Sequence, residues 1–151
     1  MNQPERGAVA KFLHNADSVD TKDANIEEYL DGLDKKTIKH VKVRNAVFAW
    51  RYLSERCNRF FEIHDMLVIH RRLGIGIYRE GGGELKSPEL ENELKGYIKS
   101  LKTRSGADPY SDFLKISPFS HLNEKVARFL WAWDRLRMGE ILNDGKIQPG
   151  S

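Results

Sequence analysis

No glycine or proline falls between residues 34 and 73, and within that stretch Val43, Ala46, Trp50, Leu53, Cys57, Phe60, His64 and Leu67 recur at alternating steps of three and four. That spacing lays side chains along one stripe of an α-helix. Seven of these eight residues are apolar. Such a helix, at ~1.5 Å per residue, would be a rod of about 60 Å around which the remaining chain must pack. From Phe60 onward, Phe61, Ile63, Met66, Val68 and Ile69 place apolar side chains on further faces. The second half is therefore expected at the centre of a bundle and the cation-bearing first half at its surface.

The flanking segments also read as helices and loops. Val9, Phe12 and Leu13 suit a short helix over 4–15, and Ile26, Tyr29, Leu30 and Leu33 suit an acidic one. Residues 75–85 hold Gly76, Gly81, Gly82 and Gly83 and read as a loop or a small hairpin. Gly74-Ile75-Gly76 lacks the third glycine and the preceding strand that a dinucleotide-binding turn needs. Ser87-Pro88-Glu89 is a helix start, with Leu90, Leu94, Tyr97, Ile98 and Leu101 facing inward. A connection over 103–120 has room for one helical turn near Tyr110 to Leu114. Ser120 is then expected to cap a last helix with Leu122, Val126, Phe129, Leu130, Trp133 and Leu136 inside. The expected fold is all-α: a single-domain bundle of about five helices over 1–142, built around the helix at 34–73, with a flexible tail at 143–151.

At 151 residues the chain can bury a core without disulfides or metals. Its single cysteine, Cys57, lies on the apolar stripe and offers no disulfide partner, which suits a reducing compartment. No signal-peptide pattern or membrane-spanning run is visible, so a cytoplasmic protein with no membrane partner is expected. His14, His40, His70 and His121 are scattered and form no ligand cluster; no metal and no cofactor are expected.

The net charge of +3 is unevenly spread. Residues 1–34 carry 3 basic and 8 acidic side chains, residues 35–72 carry 10 and 3, and residues 73–151 carry 12 and 11. Two groups of cations stand out: Lys35, Lys36, Lys39, Lys42, Arg44 and Arg51 at the start of the long helix, and Lys125, Arg128 and Arg135 along one side of the last. Rows of this kind can follow a phosphate backbone, giving salt-sensitive affinity that specifies no sequence. The leading expectation is a small non-catalytic accessory or subunit protein. It would act by contact with nucleic-acid backbone and with other protein chains, including copies of itself.

A second expectation comes from Arg59-Phe60-Phe61-Glu62-Ile63-His64. An arginine followed at this distance by a histidine resembles the signature of the HEPN ribonucleases, small all-α dimeric proteins. The resemblance implies metal-independent RNA cleavage, with Arg59 stabilising the scissile phosphate and His64 moving the proton of the ribose 2′-hydroxyl. It requires Arg59 and His64 to meet in an open cleft or across a two-fold contact.

Overall fold

Five helices make up the computed structural model, which describes residues 38–78 and 82–139. They are α1 Ile38–Arg56, α2 Ile63–Gly74, α3 Leu90–Thr103, α4 Pro109–Ile116 and α5 Asn123–Arg137, with no strand among the described residues. The fold is all-α. The two short helices read before residue 34, Lys35, Lys36 and the tail at 143–151 lie outside the described residues.

The single rod does not form. The chain leaves α1 after Arg56 and becomes helical again at Ile63, which turns the periodic stretch into a helical hairpin. Asn45, near the start of α1, donates from Nδ2 to the carbonyls of Leu73 (3.0 Å) and Ile75 (2.7 Å) at the end of α2. Tyr52, near the end of α1, donates to Asp65 near the start of α2 at 2.6 Å. The two helices are therefore antiparallel.

The cause of the break is Asp65. Its carboxylate accepts the N–H of Glu62 at 2.7 Å, one of the amides that a helix start leaves without a partner. The apolar phase changes there too. Val43, Ala46, Trp50 and Leu53 are buried as the stripe requires, but Cys57, Phe60 and Leu67 are only half-buried and His64 is exposed. Phe61, Met66, Ile69, His70 and Leu73 carry the buried face instead. Nor is the first half surface. Besides the stripe, α1 buries Val41, Asn45, Val47, Ala49 and Tyr52, because folding back covers a second side of it.

Helix α3 follows a turn in which the N–H of Leu90 bonds the carbonyl of Ser87, and it buries Leu94 and Tyr97. The single turn expected near Tyr110 is a full helix, α4. It is capped by Asp108, whose side chain accepts from the N–H groups of Tyr110 and Ser111, with Pro109 in the first turn. The residue capping α5 is not Ser120 but Leu122, in a left-handed backbone conformation (φ 65°) and without a side-chain cap. The side chain of Asn123 turns back to Phe119, accepting its N–H at 2.9 Å and donating to its carbonyl at 2.8 Å.

A chain of rings runs through the core: Trp133 to Phe61 (centroids 6.0 Å apart), Phe61 to Tyr97 (6.1 Å), Tyr97 to Phe113 (5.8 Å), and Phe113 to Phe119 (6.3 Å). Tyr52 also meets Trp133 at 6.3 Å. This pairs the last third of α1 with that of α5, so these helices run in the same direction. Their starts consequently lie at one end of the bundle and their ends at the other.

Candidate nucleic-acid interface

Because α1 and α5 run in parallel, Lys42 near the start of one and Lys125 in the first turn of the other reach the same cavity. It has a volume of about 270 Å³. Leu73, Ile77 and Tyr78 wall it from the end of α2 and the turn beyond, and Leu122, Asn123 and Glu124 from the start of α5.

Three local features place the aromatic side of this wall. After Gly74 the chain turns, with the N–H groups of Ile77 and Tyr78 bonding the Gly74 carbonyl at 3.0 and 3.1 Å. Gly76 sits in that turn at φ +78°, a conformation open to glycine at no steric cost. Asn45, fully buried, holds the turn to α1 through the two bonds to Leu73 and Ile75. These bonds satisfy carbonyls that the end of α2 leaves open.

Tyr78 then lies flat on His121, with centroids 3.7 Å apart and planes 8° from parallel. His121 stacks on His70 at 5.1 Å, and His70 on Phe119 at 3.8 Å. The ring chain of the core is thereby continued to the surface, where Tyr78 keeps 37% of its area exposed. His70 fixes this arrangement. The N–H of Gly83 can only donate, so Nδ1 of His70 accepts it at 2.8 Å and carries no proton. Nε2 carries the proton and donates to the carbonyl of His121 at 3.2 Å. Burial pushes His70 down to about 4, so the ring is neutral at pH 7.

Glu124 is the acid on the cavity wall. Its carboxylate is held by Arg128, with Nη2 at 2.9 Å and Nε at 3.3 Å, so its charge is compensated before it meets a ligand. Arg128 lies with its guanidinium 5.6 Å from the Tyr110 ring.

Of the cations singled out in the sequence, the structure brings Lys42 and Lys125 together at this cavity. Arg44 bonds Asn45 and lies against the Gly76 turn. Arg128 is committed to Glu124, Arg135 lies over Trp131 at 5.8 Å, and Arg51 is half-buried on α1. Lys39 belongs to α1, but its side chain is outside the described part. The row Lys125, Arg128, Arg135 is thus not a row of equivalent charges.

Arg59 and His64 lie on either side of the break between α1 and α2. The guanidinium of Arg59 closes on Asp65 through two bonds of 2.8 Å, and Asp65 is 1% exposed. The indole N–H of Trp133 holds the Arg59 carbonyl at 2.7 Å. Burial pushes the Asp65 carboxyl up, but the hydrogen bonds from Arg59, Tyr52 and the Glu62 N–H outweigh it and hold the group below the usual carboxylate range. Burial and the bond to Asp65 push the Tyr52 hydroxyl up to about 12. The fork of Arg59 therefore grips a carboxylate inside the fold, while His64 is exposed on the first turn of α2.

Sequence reasoning missed Tyr78, His70 and His121 as parts of the site. Tyr78 is embedded among glycines and reads as loop, and the two histidines are 51 residues apart. Among the described residues no group of three His, Cys, Asp or Glu side chains is placed to hold a metal, and no helix is long and apolar enough to cross a membrane. Comparison with protein-family models, with curated proteins and with solved structures gives no match.

Proposed function

We propose that the protein is a non-catalytic accessory module that binds single-stranded nucleic acid through its backbone, at the end of the bundle where α1 and α5 begin. The observation that carries this reading is the convergence of Lys42 and Lys125 on one open cavity bordered by the exposed ring of Tyr78. Cations beside a stacking ring are the combination by which proteins hold single strands without reading sequence. Backbone contacts of this kind do not separate RNA from DNA.

The test is fluorescence anisotropy of labelled single-stranded RNA and DNA, titrated with the protein in EDTA over a series of salt concentrations. Binding should weaken with salt along a log–log slope of about −0.7 per phosphate contact. Lys42→Gln and Lys125→Gln should each lower affinity and flatten that slope by about one contact. Absence of binding to either strand would remove the reading. Cleavage of the RNA in EDTA that His64→Ala abolishes would replace it with the HEPN-like one.

A further inference from the structure

We infer that the cavity seats the phosphorylated end of a strand: a terminal nucleotide whose phosphate monoester lies between Lys42 and Lys125 and whose base extends the ring stack at Tyr78. This rests on the nucleic-acid reading above and narrows it to one ligand class.

Size is the first argument. At about 270 Å³ the cavity lies just below the span of ~300–1,000 Å³ in which small-molecule sites fall. It matches one nucleotide and is too small for a length of strand or a duplex. Charge is the second. Two ammonium groups on separate helices are more than one phosphodiester needs, because a diester carries a single charge. A terminal monoester carries nearly two at neutral pH. The first turn of α5 adds to the same wall. Leu122 supplies no capping oxygen and Asn123 is turned to Phe119, so the positive end of that helix is left to an outside acceptor. Glu124, which would repel an anion, is neutralised by Arg128.

The third argument is the stack. Tyr78, His121, His70 and Phe119 form a continuous pile of rings rooted in the core, and Tyr78 is its solvent end. An aromatic pile that stops at the wall of a cationic cavity is completed by a flat ring joined to an anion. A nucleotide is both. A free aliphatic phosphate would use the lysines and leave the ring idle.

The experiment compares one single-stranded RNA in three forms, with a 5′-phosphate, with a 3′-phosphate, and with hydroxyls at both ends, each carrying the same internal fluorophore. The full chain should bind one of the phosphorylated forms about tenfold more tightly than the hydroxyl form, as expected where one additional charge-assisted contact is made. Which form gains tells whether the site takes a 5′ or a 3′ end. Adenosine monophosphate should erase the difference at a concentration where inorganic phosphate does not. Lys125→Gln should abolish the preference, and Tyr78→Ala should make the monophosphate no better a competitor than inorganic phosphate, with far-UV circular dichroism unchanged in both.

Equal affinity for all three strands would overturn the inference. If that equal binding still weakened with salt, the backbone reading would stand alone. Failure of every strand to bind would remove both. Competition by inorganic phosphate as strong as by the mononucleotide would also overturn it, since the site would then select an anion and not a nucleotide.

Discussion

Both ends of the parallel pair α1 and α5 are furnished with cations and rings, and they use them in opposite ways. At the end where the helices finish, every described cation with a ring contact is laid on it. Arg56 and Arg72 lie over Tyr52 at 4.1 and 5.1 Å, Arg59 over Trp133 at 5.4 Å, and Lys102 and Arg137 over Phe60 at 5.1 and 4.8 Å. Arg56, Lys102 and Arg137 also sit in the last turns of α1, α3 and α5, where positive charge offsets the helix dipole. Charge there serves the fold. At the opposite end Lys42 and Lys125 border open volume and the stacked ring leads outward. The cationic density of a segment therefore does not locate a binding face; what each cation is aimed at does.

The comparison makes its largest claim at Asp65. If the helix-finishing end is structural, Asp65→Ala should cost about 3–5 kcal/mol, because it strands the buried hydroxyl of Tyr52 and the fork of Arg59 while opening the start of α2. Denaturant unfolding followed by the fluorescence of the buried Trp50, Trp131 and Trp133 would measure this. Arg59→Lys should recover only part of the stability of the pair, since an ammonium cannot make two parallel bonds to one carboxylate. His64→Ala, at an exposed position, should stay within about 0.5 kcal/mol of the parent. A neutral Asp65→Ala would break the contrast between the two ends.

The next effect belongs to the other end and is driven by pH. His70 titrates at about 4 in the folded protein and near its ordinary 6.5 when unfolded. The neutral ring is the one the fold favours, so its contribution is fully present above pH 6.5 and is lost as pH falls toward 4. The total is of order 3 kcal/mol. Protonated Nδ1 cannot accept the Gly83 N–H, so the loss should show first at the 82–83 loop and the His121 stack. Stability measured from pH 7 to pH 4 should fall for the parent. His70→Phe, which keeps a ring against Phe119, should flatten that part of the profile.

The difference between the ends also explains what was legible in the sequence. Leu94 and Tyr97 of α3, and Val126, Phe129, Leu130 and Trp133 of α5, are buried where the helical period put them, because burial of one face is a local pattern. The break between α1 and α2 was hidden because its cause is an acid inside an apolar stretch. Asp65 reads as surface until Tyr52, 13 residues away, and Arg59 are seen to hold it. The cavity was half legible. Lys42 and Lys125 were each visible as cations, but their meeting depends on the parallel packing of helices distant in the chain. Nothing local marks Tyr78 as the end of a stack whose other rings come from α2 and the loop before α5.

Asn45 tests whether the turn carrying Tyr78 depends on the core. Asn45→Ala leaves the carbonyls of Leu73 and Ile75 short of their donor and should cost about 1–3 kcal/mol. Unlike Asp65→Ala, it should also weaken strand binding in the fraction that remains folded, because Leu73 and Tyr78 line the cavity. Retained binding with lost stability would mean that Tyr78 is placed by His121 and not by the turn.

The smallest effect on stability should come from the residues on which function is proposed to depend most. Lys42→Gln and Lys125→Gln keep most of each side chain's length and remove its charge at a rim, a change that normally stays within about 0.5 kcal/mol. If Lys125 served the fold as Arg59 does, its loss would appear in the unfolding curve before it appeared in a titration. If the two ends differ as described, the order reverses: unfolding midpoints stay in place while affinity for single strands falls and its salt dependence flattens. The double variant sharpens the test. Two lysines on one phosphate share a ligand, so their losses should fall short of adding, whereas lysines acting on separate phosphates should add fully.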